Sequence, residues 1–146
     1  MTSRGWAALL LLAAGGVLLM ARGTIHRIAE AIGMVESGGR YDAIGPATAR
    51  GNRAYGKYQV MDFNIPTWTS QIIGRSLTPQ EWLADHNAQD TVVRAKLSEY
   101  YALYKSVEDV ASMWFSGRPL AQAGSSADVT GTTVPAYVQR VLDAMA

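Results

Sequence analysis

An apolar stripe at helical spacing runs through Ile25, Ile28, Ala29 and Ile32, meets a carboxylate at Glu36, and is halted by Gly38 and Gly39. This pattern requires a helix that packs one face into a core and ends with an acid at the core's edge. A carboxylate in that position is costly. Apolar burial disfavours its charged form, and the negative end of the helix dipole acts in the same direction, so Glu36 is expected to hold its proton at unusually high pH. A general acid working near neutrality needs that property.

The remaining sequence limits what can surround this helix. With 146 residues there is room for one domain, read as 24–146, once the N-terminal segment 1–23 is set aside. Gly5 to Ala21 carry no charge, are dominated by Leu, Ala and Gly, and lie between Arg4 and Arg22. Such a run reads as a secretory signal or a membrane anchor, and the small residues in Ala21-Arg22-Gly23 favour cleavage. The domain is therefore expected to be exported to the periplasm, with inner-membrane anchoring through residues 5–21 as the alternative. With no cysteine, it has no disulfide to hold it. With Arg4 and Arg22 set aside, the 13 Lys and Arg fall to 11 against 12 Asp and Glu, a near-neutral balance that argues against nucleic acid as a partner. Arg40, Arg50, Arg53 and Lys57 form a local basic strip, suited either to acidic groups on a polymer or to simple solvation.

Start and stop signals divide the domain into helices. Thr24 is positioned to cap a helix to about Glu36. A long Gly-rich loop follows, with a short hairpin around Ala54 to Val60 as its one candidate for β-structure. Thr78-Pro79-Gln80-Glu81 is a complete capping box with Pro at the first helical position. Val93, Leu97, Tyr100, Tyr101 and Tyr104 mark a long helix from about Asn87, and Ser106 caps another that Gly117 and Pro119 end. After a small-residue linker over 121–131, Val134, Tyr137, Val138, Val141, Leu142 and Met145 mark a terminal amphipathic helix. The fold class is mainly α, with a small β-hairpin at most.

The inventory of reactive groups is short. Two histidines and no cysteine provide neither a clustered metal-ligand set nor a Ser-His-Asp pattern, so no metal or other cofactor is expected. What remains is one buried acid, a glycine-rich loop and many aromatics, a combination suited to carbohydrate, whose rings stack on Tyr and Trp.

Four ordered segments carry a family resemblance. Glu36-Ser37-Gly38-Gly39, then Ala54-Tyr55-Gly56-Lys57-Tyr58-Gln59-Val60, then Ala111 to Gly117, then Tyr137-Val138 with Val141 together resemble the soluble lytic transglycosylase domain of the lysozyme-like superfamily. The match is closest to a subgroup frequent in phage and alphaproteobacterial proteins. The resemblance covers nearly all of the chain after the export segment and implies a lysozyme-like single domain acting on peptidoglycan glycan strands. It implies that Glu36 is the single catalytic acid and base, cleaving the bond between N-acetylmuramic acid and N-acetylglucosamine to leave a 1,6-anhydromuramyl end. It places Ser37, Tyr58, Gln59, Trp114 and Tyr137 at the substrate, with Gln59 lining the cleft and Tyr137 near the acid. Tyr58 stands where the family often has Met, and Trp114 where it has Tyr. Phe115 departs from the pattern, because it occupies the position of an Asn whose polar contact it cannot make. Both rings also suit the core, Phe115 more than Trp114.

Two further readings compete. A lysozyme-type hydrolase needs a second carboxylate about 5–9.5 Å across the scissile bond. Asp42 and Asp62 are the candidates, although both read more readily as turn or capping residues. A non-catalytic glycan-binding or envelope-assembly protein would keep the fold without the reaction, and the presence of Glu36 in its Glu-Ser-Gly context counts against it. A small membrane-anchored structural protein has only residues 5–21 in its favour.

Overall fold

The computed structural model describes the backbone from Arg4 and the side chains from Leu19. Helix α1 (Arg4–Ser37) is continuous through the predicted stripe. Thr24 therefore caps nothing. It lies inside the helix, where its hydroxyl donates to the Met20 carbonyl at 3.1 Å, the local bond open to a threonine in a helix interior. Residues 1–18 of the predicted export segment lie outside the described side chains. Among the described residues, no helix is long and apolar enough to cross a membrane.

The predicted stripe is the core-facing one. Ile28, Ala29 and Ile32 have no exposed surface and Ile25 almost none. Each fully buried Ile contributes roughly 1.5–3 kcal/mol. The stop also works as predicted: Gly38 and Gly39 adopt left-handed φ values of 66° and 82°, and their amides donate to the Met34 and Gly33 carbonyls at 3.0 Å each.

After the loop, strands β1 (Ala54–Tyr55) and β2 (Val60–Met61) pair antiparallel, Ala54 opposite Met61 and Tyr55 opposite Val60. Then comes helix α2 (Ile65–Ile73), for which the capping signals gave no warning. Its apolar residues Ile65, Trp68, Ile72 and Ile73 nevertheless recur at helical spacing, and Gly74 ends it. Helix α3 (Pro79–Ala84) carries the predicted capping box in full, with Thr78 Oγ1 accepting from the Glu81 amide and the Glu81 carboxylate from the Thr78 amide. Helix α4 (His86–Tyr104) is capped by Asp85 and buries Val92, Val93 and Leu97, while Tyr100 and Tyr101 pack on the rim of the core. Helix α5 (Val107–Ser116) starts on Ser106 and ends at Gly117 as expected. One turn of helix, α6 (Leu120–Ala123), occupies the start of the predicted linker, and α7 (Val134–Met145) closes the chain.

The described fold is mainly helical, with a single two-stranded hairpin. Helix α1 packs on α7 and α4, and α5 fills the angle between them. One buried amide fastens the hairpin turn to α4. Gln89, fully buried on α4, accepts from the Lys57 amide at 2.9 Å and donates to the Tyr41 and Trp82 carbonyls at 3.0 and 2.8 Å. Gly56 makes room for it: with φ at 86°, any Cβ there would lie 2.3 Å from Gln89 Oε1.

Candidate active site

Glu36 lies in the last turn of α1, half-buried, facing α7. The hydroxyl of Tyr137 donates to Glu36 Oε1 at 2.6 Å. Thr133 caps α7 through the Ala136 amide, and Pro135 stands in the first turn, so the helix start that carries Tyr137 is well fixed. Behind Tyr137, the ring of Phe115 stacks at 4.4 Å between centroids and 18° between planes. Three elements, α1, α5 and α7, thus converge on one carboxyl group.

Its electrostatics follow from that packing. Burial, the largest influence, raises the Glu36 carboxyl from its ordinary 4.5 to about 7. The Tyr137 hydroxyl and the positive charge of Arg140 restrain the rise, and the negative charge of Asp128 adds to it. Tyr137 is pushed well up by burial and by the Glu36 charge, so it remains a neutral donor. Because Oε1 accepts the tyrosine proton, the acid proton of Glu36 belongs on Oε2. The site can therefore deliver a proton near pH 7 and take one back.

The other predicted residues separate. Ser37 donates to the Lys57 and Gly33 carbonyls at 2.7 and 3.2 Å and accepts from the Arg40 amide, so its hydroxyl ties the hairpin turn to the end of α1. Gln59 has a left-handed φ of 52°, a strained conformation for a non-glycine residue. Its amide donates to the Gly56 and Ala43 carbonyls at 3.0 and 3.4 Å, bracing the loop beside the acid's helix end. Trp114 turns away from Phe115 to meet Trp68 of α2, with centroids 5.8 Å apart. Tyr58 requires correction: it is completely buried, with its hydroxyl donating to Asp90 Oδ1 at 2.7 Å, so it supports the core and offers no surface to a ligand. The basic strip is also reduced, because Lys57 is buried and paired with Glu30.

Neither carboxylate proposed as a second acid stands with Glu36. Asp42 is exposed on the loop. Asp62 accepts from the Asn52 side chain and the Arg53 and Phe63 amides, and these bonds, led by that of Arg53, hold its carboxyl below the usual range. It is a hairpin brace. The carboxylate that does act on Glu36 is Asp128, which the sequence pattern did not reveal. Its Oδ1 accepts from the Thr130 hydroxyl and from the Thr130 and Thr132 amides, which keep it ionised and committed to its own turn. The next residue, Val129, faces Met61 and Phe63 across an open depression of about 430 Å³ that also meets Thr48, Arg50 and Asn52. Among the described residues, no group of three His, Asp or Glu is placed to hold a metal ion.

No family model, curated protein or solved structure gives a significant match to this chain.

Proposed function

We propose that this protein is a peptidoglycan lytic transglycosylase with a lysozyme-like domain, using Glu36 as its only acid and base. The observation that carries the reading is the state of Glu36: a carboxyl raised to about 7 by burial, held through one oxygen by Tyr137, and with no salt-bridge partner among the described residues. In this reaction Glu36 Oε2 gives its proton to the glycosidic oxygen as the bond from C1 of N-acetylmuramic acid breaks. The resulting carboxylate takes the proton of the muramyl 6-hydroxyl as O6 attacks C1. The acid is restored, no water is consumed, and the product is a 1,6-anhydro end. The largely apolar depression beside Val129, with Phe63 in its lining, suits the apolar face of a sugar ring. Export through residues 5–21 belongs to the same proposal, since the polymer lies outside the cytoplasm.

A hydrolase of the same bond is the second reading, and the charge of Asp128 acting on Glu36 is the one observation in its favour. The commitment of Asp128 to Thr130 and Thr132 weighs against it.

The test is turnover of purified peptidoglycan by the full chain and by Glu36→Gln. Loss of a general acid is expected to reduce the rate by ~10²–10⁴-fold. Equal release of soluble fragments by both proteins would overturn the assignment.

A further inference from the structure

The aromatic stack behind the acid has a role of its own. Phe115 lies one residue from the end of α5, where Gly117 turns the chain with its amide on the Met113 carbonyl at 2.9 Å. Its neighbour Trp114 is held against Trp68. The backbone between the two rings is thus fixed at both sides, and Phe115 has little freedom to leave Tyr137. Tyr137 is almost fully buried, so its ring rests on Phe115 on one face while its hydroxyl has Glu36 as its partner. A tyrosine ring can turn about its Cα–Cβ and Cβ–Cγ bonds, and a parallel neighbour resists both motions.

We propose that Phe115 is a positioning residue, whose ring, stacked on Tyr137, fixes which oxygen of Glu36 carries the proton. With Tyr137 held, Oε1 always accepts and Oε2 always bears the acid proton. With Tyr137 free to swing, either oxygen takes the proton and water reaches the carboxyl. The catalytic use of that proton rests on the function proposed above, but the positioning does not. The groups that face Glu36 are Tyr137 and Arg140 from α7 and Asp128 from the loop before it. None of them is replaced in the test.

The experiment is a carbon-13 NMR titration of the Glu36 carboxyl, with the three-bond couplings of Tyr137, in the full chain, without substrate, for the natural protein, Phe115→Met and Phe115→Tyr. Methionine fills most of the space and loses the flat face, whereas tyrosine keeps the face and adds a hydroxyl. The natural protein and Phe115→Tyr are expected to titrate near 7 and to keep a single Tyr137 Cα–Cβ rotamer, whereas in Phe115→Met the Tyr137 couplings should average over rotamers. A single Tyr137 rotamer retained in a folded Phe115→Met would overturn the proposal and leave Phe115 as packing alone. The natural protein supplies a second measurement that needs no variant. Swinging the hydroxyl off Glu36 requires rotation about the Tyr137 Cα–Cβ bond, so a held tyrosine shows the three-bond couplings of a single rotamer, and couplings averaged over rotamers would equally overturn it. Because no glycan is present, failure of the transglycosylase reading would leave either result unaffected.

Discussion

Helix α1 carries two acids six residues apart, and the fold treats them in opposite ways. Glu30 and Glu36 are separated by about 9 Å along the axis and roughly 240° around it, so they face different neighbours. Glu30 accepts from Lys57 Nζ at 3.0 Å through each oxygen, with Arg94 at 3.9 Å. Burial pulls the Lys57 ammonium down, but the Glu30 bonds and charge outweigh it, and the ammonium ends above its ordinary range. Tyr41 and Tyr58 add their ring faces to the Lys57 charge, and both donate to Asp90, which extends the network into α4. Glu36 meets a neutral tyrosine and a phenylalanine beyond it. One residue type on one helix therefore does two jobs: an acid in a salt bridge fastens the loop, and a buried one outside any such bridge, with Arg140 acting only through its field, stores a proton. Partner and burial differ together: Glu30, with 44% of its side chain exposed, lies against Lys57 and Arg94, whereas Glu36 is the more buried and takes its hydrogen bond from a neutral tyrosine.

The largest test of this contrast uses stability. Glu36 releases its proton near 4.5 in the unfolded chain and near 7 in the folded one, so the folded state holds the extra proton between these values. Its contribution to stability is complete below pH 4.5 and lost as pH rises through 7. Glu36→Gln removes that dependence. Chemical denaturation at pH 4.5 and pH 8 should show the variant gaining about 2–3 kcal/mol relative to the natural protein across the interval. At Glu30 the matched pair predicts no comparable gain from neutralisation.

Breaking the matched pair should cost stability instead. Lys57→Met is expected to destabilise the fold by about 2 kcal/mol in urea titrations at pH 7. The figure is below that for a fully buried pair because 44% of the Glu30 side chain is exposed. The smallest expected effect is at the acid's own partner. Tyr137→Phe removes the bond that favours the charged form, so the Glu36 midpoint should rise above 7 by up to about one unit. The alkaline limb of the activity profile should move with it. A fall in the midpoint would mean that Tyr137 acts chiefly by excluding water.

Much of the fold could be read from local signals, because stripes, caps and glycine stops are decided by residues within a turn or two of one another. Ile25 to Ile32, the Thr78 capping box, Ser106 and the Gly38-Gly39 stop all behave as their neighbours dictate. Thr24 misled because a threonine before an apolar stripe looks the same whether a helix starts there or passes through. Helix α2 had its stripe but no side-chain cap at Asn64 to announce it. In the site, the acid could be read from its own helix. Its surroundings could not be read from local pattern: Tyr137, 101 residues away, was placed near the acid by the family resemblance, and Phe115 joins it only through the packing of α5 on α7. Lys57 looked like part of a solvated basic strip. Its burial depends on Glu30 and on Gly33, whose missing side chain leaves space for the lysine stem: a Cβ there would lie 2.7 Å from Lys57 Cε.

On the proposed function Glu36 acts without a second carboxylate, and the sugar supplies its own nucleophile. The direct measurement is mass spectrometry of glycan fragments released in water enriched in oxygen-18. A transglycosylase releases 1,6-anhydromuramyl ends, lighter by one water and free of the label. Reducing muramic acid carrying oxygen-18 at C1 would contradict the proposed function.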